Sequence, residues 1–178
     1  AILVFSPVLL LLCGKTGHAA RRGGKMILRE ANAADATAIA RLYRTLVPRD
    51  RNMRVDPERI GHIAADPNNF LFVAEAEGKV WATAFVTLCM DPMYGALPFA
   101  VLENIAVDPA RRGSGCGRFI VENIEAFCWR QGCTKIMLFS SVFRRAAHQF
   151  FSHLEFDDGK KVAFVKYRRK VFEALDPD

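Results

Sequence analysis

Residues 107–119, "VDPARRGSGCGRF", contain three glycines at every second position and three arginines. They lie between an apolar run typical of a strand and a run typical of an amphipathic helix. Glycine has no Cβ, so a ligand can approach the main chain closely. A helix that begins here directs free N–H groups and the positive end of its dipole at that ligand. The segment is therefore predicted to bind a phosphate or pyrophosphate group.

The common nucleotide-binding motifs do not fit this segment. The spacing of Gly113, Gly115 and Gly117 is not G-x-G-x-x-G, and no acidic residue closes the next strand-like run, "TKIMLFSS". No Gly-Lys-Ser/Thr follows the glycines, which excludes a P-loop. A glycine-rich turn without a ligand stays open as the alternative.

The spacing of apolar residues divides the chain after Met26 into strands and helices. Strands are predicted at "MILREA", in both arms of "NFLFVAEAEGKVWATAFVTLCM" with a turn at Glu77-Gly78, and at "FAVLENIAV", "TKIMLFSS" and "KKVAFVKYRRKVF". Helices are predicted at "DATAIARLYRTLV" with Asn32 or Asp35 as N-cap, at "DPERIGHIAAD", from the glycines to Gly132, and at "RRAAHQFFSHL". Because the helices interrupt the strands without strict alternation, we expect an α/β fold of the α+β type, with a mixed, largely antiparallel central sheet flanked by helices.

Composition and charge are those of a single globular domain that is long enough to bury a core. The chain has 178 residues, of which 51% are hydrophobic and 25% charged, and its net charge is +6. Residues 1–25 hold four basic and no acidic residues, which leaves 21 basic and 19 acidic residues in the rest. A general nucleic-acid-binding surface is therefore disfavoured, although Arg144-Arg145 and "KYRRK" keep it as a minor alternative.

The cysteines point to a reducing compartment. There are five, an odd number, and none are spaced as C-x-x-C. Neither a disulfide framework nor a metal site is indicated, so we expect free thiols, no metal and a cytoplasmic location.

The first 25 residues differ from the rest of the chain. "ILVFSPVLLLLC" is apolar over 12 residues but is interrupted by Pro7, and a membrane span needs about 20. It is similar to the apolar part of a signal peptide, yet no positive segment precedes it. We interpret residues 1–25 as a leader or non-native extension and residues 26–178 as one domain. An export or anchoring segment is the alternative.

The segment Arg112–Gly117 follows the pattern Arg-x-x-Gly-x-Gly, between a strand and a helix. This arrangement resembles the acyl-CoA-binding motif of the GNAT superfamily of N-acetyltransferases. The order of the other elements is similar to that family over nearly all of residues 26–178. The resemblance implies a GNAT-like fold and a single catalytic domain.

The resemblance also implies acetyl-CoA as co-substrate and direct transfer of its acetyl group to a primary amine of a small-molecule acceptor in a ternary complex. The coenzyme would lie against the strand "ENIAV" and the glycine loop. Its expected contacts are Ile105, Ala106, Val107, Arg112, Gly113, Ser114, Gly115, Cys116, Gly117 and Arg118. Cys116 is expected to pack rather than to react. Members of this family commonly form dimers, so the resemblance also implies a possible homodimer.

Glu103, at the start of the coenzyme strand, is the candidate general base, since an amine must lose a proton before it attacks. A surface glutamate at a sheet edge is the alternative. The thioester carbonyl would accept a hydrogen bond from the main-chain N–H of Val107 or Ile105.

The proton donor to the leaving thiolate is less clear. In this family the tyrosine of the pattern Phe-Tyr-x-x-x-Gly-Phe often donates that proton. This chain has Phe151 at the tyrosine position and Glu155 at the glycine position. Ser141 is our candidate in its place, with Ser152, His148 or water as alternatives. The missing tyrosine also leaves open a non-catalytic acyl-CoA-binding or sensing protein.

The acceptor is expected between the first two predicted helices and "TLCMDPMYGALPF". Arg49, Arg51 and Arg54 in that region would favour an anionic group on it. Histone-like, aminoglycoside, amino-sugar and amino-acid acceptors all stay open.

Overall fold

The computed structural model describes residues 25–166, so nearly all of the proposed leader lies outside the described residues. Within them, helices and strands follow one another in the order expected from the sequence. They are β1 (Ile27–Glu30), α1 (Ala36–Tyr43), α2 (Pro57–Ala64), β2 (Asn69–Ala76), β3 (Lys79–Cys89), β4 (Phe99–Val107), α3 (Cys116–Arg130), β5 (Ile136–Leu138) and α4 (Arg145–Ser152).

The strands form one sheet in the order β1-β2-β3-β4-β5. The first four are antiparallel, and β5 pairs with β4 in parallel. This confirms the mixed, largely antiparallel sheet, because only the β4–β5 connection requires a crossover, which α3 provides. The predicted hairpin turn is also confirmed: Glu77 and Gly78 have φ of 54° and 69°, as a type I′ turn requires.

Each face of the sheet is covered by its own apolar cluster. Helix α3 packs Ile120, Ile124 and Cys128 on one face. Helices α1 and α2 pack Ile39, Leu42 and Ile60 on the other. The apolar residues of each helix recur every three or four positions, so burial of one stripe fixes how the helix lies on the sheet.

Both candidate N-caps at the start of α1 take part in capping. The side chain of Asn32 accepts from the N–H of Ala34, 2.9 Å away, and the Asp35 carboxylate accepts from the N–H of Asn32 at 2.8 Å. This capping box closes a short 3-10 turn, Ala33–Asp35, that leads into α1.

The predicted last strand is wrong over its described part. Residues 161–166 have no regular secondary structure, and the side chain of Phe164 is 93% exposed. The remaining residues of that prediction lie outside the described ones. Alternating apolar residues favour a strand only where a neighbouring edge supplies hydrogen bonds. The strand predicted at "TKIMLFSS" is present but shorter than predicted, since it spans only Ile136–Leu138.

Candidate active site

A cleft of about 380 Å³ opens on the face of the sheet covered by α1 and α2. Its apolar residues come from both helices and from β2 and β3, and its charged residues lie on α2 and the loop before it. It is lined by Tyr43, Arg54, Val55, Asp56, Arg59, Ile60, Ile63, Leu71, Phe85 and Asn104. Arg54 lies here as the sequence predicted, and its side chain is exposed.

Tyr43 at this cleft keeps its proton. Burial raises the pKa of Tyr43 to about 12, against a smaller lowering by its hydrogen bond with Thr83. A phenol with that pKa is neutral over the physiological range, so it offers a hydrogen bond and not a charge.

A β-bulge in β4 directly follows Glu103, and Asn104 in this bulge lines the cleft. Glu103 is paired with Phe85, and Ala106 with Thr83, so two residues of β4 lie opposite Ala84. Asn104, in the bulge, has a φ of 53°. Since directly paired residues point to the same face, exposed Glu103 lies beside Phe85 on the cleft side.

The second edge of β4 is open along this segment. β5 pairs with β4 only from Ala100 to Leu102, and among the described residues no strand continues that pairing toward Val107. The N–H of Asp108 donates to Trp81 O at 2.8 Å on the β3 side. By alternation, the main-chain groups of Ile105 and Val107 point to the open edge. An extended, amide-containing ligand can hydrogen-bond there like an added strand.

The glycine loop lies at the end of this open edge. Gly113 and Gly115 have φ of 71° and 89°, and a Cβ added at either would meet nothing within 4 Å. Gly115 begins α3, no side chain caps this helix end, and its first helical hydrogen bond joins Phe119 N to Gly115 O at 2.9 Å. The N–H groups of residues 115–118 are therefore free for an anion, as a phosphate site requires, whereas the N–H of Ser114 donates to Arg111 O at 3.4 Å.

Gly117 serves a different purpose from the other two glycines. A Cβ there would lie 3.3 Å from the Phe150 ring and 3.6 Å from the Val107 side chain. The absence of a side chain lets α3 pack closely against β4 and α4.

The loop side chains predicted to bind the coenzyme are divided among several tasks. Ser114 Oγ donates to Arg111 O at 2.6 Å, within the loop itself. Arg118 pairs with Glu122 at 3.0 Å on the surface of α3. Arg112 is exposed. The neighbouring Arg111 stacks on the Trp81 ring, 4.4 Å from its centroid.

Cys116, at the start of α3, is buried. Burial raises the pKa of its thiol above the usual range, although the charge of Arg111 acts in the opposite direction. A neutral, enclosed thiol is a poor nucleophile. Its packing agrees with the prediction that Cys116 does not react.

Asp108 anchors the start of the loop to α1. Its side chain is 9% exposed; the carboxylate accepts from Ala110 N at 2.9 Å and forms an ion pair with Arg41, whose guanidinium also donates to Val80 O at 3.0 Å. Burial acts to raise the pKa of Asp108, but the hydrogen bonds from Ala110 and Arg41 outweigh it and hold that pKa below its usual value.

The loop between β5 and α4 holds the other predicted site residues. Ser141 is exposed, and its carbonyl accepts from Arg144 N at 2.9 Å and lies 3.0 Å from His148 Nε2. Phe151 packs edge-on against Phe150 and Phe156, so its ring fills the core. The hydroxyl of Ser140 is buried and has no hydrogen-bond partner.

The sequence reasoning missed Asn104, the Arg41–Asp108 pair and Ser140. A signal for the bulge was present: in "FAVLENIAV" simple alternation would bury position 104 between Leu102 and Ala106, but that residue is the polar Asn104, and it is exposed. Nothing in the sequence links Arg41 to Asp108, because 67 positions separate them.

Within residues 25–166, none of the helices is long and apolar enough to span a membrane. That part of the chain contains no group of three or more His, Cys, Asp or Glu side chains arranged to hold a metal ion.

Comparison with known proteins gives consistent matches. Residues 36–156 match the acetyltransferase (GNAT) family. An aminoglycoside N(6′)-acetyltransferase type 1 of Stenotrophomonas maltophilia is 31% identical over 143 residues, which cover 78% of this chain and 91% of that protein.

Solved structures show the same fold. A candidate acetyltransferase from Agrobacterium tumefaciens superposes with a TM-score of 0.72 at 29% identity and covers 79% of this chain and 99% of its own. Glucosamine-6-phosphate N-acetyltransferase from Arabidopsis thaliana superposes with a TM-score of 0.68 at 24% identity, over 81% of this chain and 99% of its own, which shows the likeness of fold.

The Arg41–Asp108 pair predicts a pH-dependent loss of stability. Arg41→Met removes the charge and leaves the carboxylate of Asp108 buried, so its pKa should rise. The side chain of Arg41 is 43% exposed, so solvent screening limits the expected loss to about 1 kcal/mol. That loss corresponds to a melting temperature about 2–4 °C lower at pH 7.

Because the folded-state pKa of Asp108 is depressed, this stabilisation is present above the unfolded pKa and is lost as pH falls through the folded one. The difference in melting temperature between the two proteins should therefore shrink below about pH 4. Arg118→Met, which removes the exposed pair with Glu122, is the control. An equal difference at pH 7 and pH 3 would show that Arg41 stabilises the protein through packing and its hydrogen bond to Val80 O, and not through the ion pair.

Proposed function

We propose that this chain, which belongs to the acetyltransferase (GNAT) family, transfers the acetyl group of acetyl-CoA directly to a primary amine of a small-molecule acceptor. Family membership makes the protein an acetyl-CoA-dependent N-acyltransferase. The observation that carries the finer proposal is the open edge of β4, which leads from the glycine loop at Gly115 to Glu103 at the cleft.

Acetyl-CoA fits this arrangement from both ends. The free N–H groups of Gly113 and of residues 115–118 suit its diphosphate, and the exposed guanidinium of Arg112 adds positive charge. The main-chain groups of Ile105 and Val107 suit the two amides of its pantetheine arm, while Ala106 faces the opposite cluster. The thioester then lies near the closed end of the edge, beside Leu102.

Glu103 is proposed as the general base. It accepts a proton from the ammonium group of the acceptor, directly or through one water. The amine nitrogen then attacks the thioester carbon, whose oxygen accepts a hydrogen bond from a main-chain N–H of β4. The carbon–sulfur bond breaks and the sulfur leaves with its electron pair, while the attached nitrogen loses its remaining excess proton to water and becomes a neutral amide. The exposed hydroxyl of Ser141 stays a prediction for the proton donor to that sulfur.

The cleft beside Glu103 is the proposed acceptor site, and its charges favour an amine that also carries an anionic group. Of the three charged residues that line it, Arg54 and Arg59 are basic and only Asp56 is acidic, and Arg49 and Arg51 are exposed on the loop that leads to it. Opposite charges attract a carboxylate or phosphate to this region. A polycationic aminoglycoside, the acceptor named for the S. maltophilia relative, would meet repulsion from the same arginines.

A matched set of acceptors tests the function and the charge preference together. Purified protein with acetyl-CoA is assayed for thiol release with glucosamine 6-phosphate, glucosamine and an aminoglycoside that carries a 6′-amine. We expect turnover, with kcat/KM at least about five-fold higher for the phosphorylated amine than for glucosamine, since one ion pair contributes about 1 kcal/mol.

Arg54→Gln should reduce that ratio toward one. A higher kcat/KM for the aminoglycoside would reverse the charge argument but keep the acetyltransferase. Binding of acetyl-CoA without turnover of any amine would support the non-catalytic acyl-CoA-binding alternative.

Gly115→Val should abolish most acetyl-CoA binding. The substitution places a β-branched side chain at a φ of 89°, which disturbs the loop, and puts its methyl groups where the diphosphate approaches. Binding is measured as the rise in melting temperature that acetyl-CoA produces in the intact protein.

Gly78→Val is the matched control, because Gly78 has a φ of 69° and equally open surroundings but lies in the β2–β3 turn. Both variants should lose stability, and only Gly115→Val should lose the response to acetyl-CoA. A normal response in Gly115→Val would mean that the loop is a turn without a ligand.

Glu103→Gln should keep acetyl-CoA binding and lower kcat about 100-fold at neutral pH, the lower end of a general base's usual contribution. The deficit should shrink as pH rises, because free amine accumulates in solution and the base is needed less. The measurement is the pH dependence of kcat for the best acceptor. Full activity of this variant at pH 7 would exclude Glu103 as the base.

A further inference from the structure

The hydroxyl oxygen of Ser140 is the one buried side-chain polar atom without a hydrogen-bond partner that is found among the described residues. Leaving such a group unpaired costs about 1–3 kcal/mol. Buried polar groups are nearly always paired in folded proteins, so an exception calls for a partner supplied from outside the chain or for a functional reason.

Ser140 lies where β4 and β5 separate. The last residues paired between these strands are Leu102 and Leu138, and Ser140 follows two positions later on the β5 side. Across the gap, β4 bulges at Asn104. The open edge of β4 that runs back to the glycine loop begins at this same point.

The side chain of Ser140 is on the α3 face of the sheet. Ile136 and Leu138 pack against the apolar cluster under α3, whereas Phe139 between them and Ser140 is 53% exposed. Continued alternation places Ser140 with Ile136 and Leu138, in agreement with its enclosed oxygen. Glu103 lies on the opposite face, so the two groups approach the gap from different sides.

We propose that the Ser140 hydroxyl donates a hydrogen bond to the sulfur of coenzyme A. This inference rests on the proposed function, in which the pantetheine arm extends from the glycine loop past Val107 and Ile105. The pairing of Leu102 with Leu138 closes the gap, so the sulfur at the end of the arm stops beside it. A small shift of the side chains that enclose Ser140 brings the hydroxyl into contact.

The hydrogen bond stabilises the sulfur as it takes up negative charge. When the carbon–sulfur bond breaks, the electron pair stays on sulfur and Ser140 keeps its own proton. The proton that finally converts the thiolate to a thiol comes from a separate donor, the exposed Ser141 hydroxyl or water. A hydroxyl donor here replaces the stabilisation that Phe151, which has no polar hydrogen, does not give.

Neighbouring groups are less suited to this contact. Ser141 is exposed, so water competes for its hydroxyl. Nε2 of His148 is 3.0 Å from the Ser141 carbonyl and is engaged there. Ser140 alone among the three combines burial with an unused donor.

The test is the pKa of the coenzyme A thiol when bound, measured from the ultraviolet absorbance of the thiolate in a titration of the complex. A donated hydrogen bond favours the charged form, so it lowers the thiol pKa. We expect Ser140→Ala to raise the pKa of bound coenzyme A by about one pH unit, equal to a ten-fold change in the equilibrium. Ser140→Thr, which keeps the hydroxyl, should restore the lower value.

Kinetics with the best acceptor give a second measurement. Ser140→Ala should lower kcat about ten-fold with little change in the KM for acetyl-CoA, because the bond strengthens as the thiolate forms. Both results together support the proposal.

An unchanged thiol pKa in Ser140→Ala, with coenzyme A still bound, overturns the proposal and leaves the acetyltransferase intact. A rise of the thiol pKa in Ser141→Ala and not in Ser140→Ala also overturns the proposal, because it would assign the donor to the neighbouring serine. If coenzyme A does not bind the unaltered protein at all, the proposed function falls, and this inference with it.

Discussion

Strand β4 is hydrogen-bonded along its β3 edge but only from Ala100 to Leu102 on its β5 edge. A buried main-chain group without a partner is costly, so an edge that stops short in the middle of a sheet has to meet water or a ligand. The short β5 and the bulge at Asn104 together produce this opening. The glycine loop, the cleft and the buried serine are all arranged around it.

The opening separates two chemical environments. On the α1/α2 side, Arg54 and Arg59 line the cleft and the exposed side chain of Glu103 lies on the same face of the sheet, which suits exchange of protons and a polar acceptor. On the α3 side lie apolar packing and the hydroxyl of Ser140. In the function that we propose, a thioester between these environments would have its carbonyl open to attack from the cleft side and its sulfur directed to the apolar side. That division is consistent with the proposed direct transfer in one ternary complex.

The sequence predicted those parts of the site that depend on local conformation. Glycines at Gly113 and Gly115 indicated a main chain with positive φ, and Glu77-Gly78 indicated a tight hairpin, because few other residues adopt these conformations without strain. The resemblance placed Glu103 on the strand that runs into the loop, and its pairing with Phe85 puts it on the face of the sheet that carries the cleft; its role as base stays a prediction. The alternation of apolar residues after residue 160 led to a wrong strand prediction, because alternation does not show whether a neighbouring strand has a free edge for pairing.

By itself, then, the sequence determined the order of the elements, the mixed sheet and the glycine turn before α3, which all follow from apolar periodicity and from backbone preferences within a few residues. The tertiary structure alone decided that Arg41 forms an ion pair with Asp108, that the pairing of β4 with β5 ends at Leu102, and that the hydroxyl oxygen of Ser140 is buried without a hydrogen-bond partner. Each of these depends on groups far apart in the chain that come together only when the two faces of the sheet are packed. Such contacts are fixed by burial and hydrogen bonding in three dimensions, and no local pattern of residues encodes them.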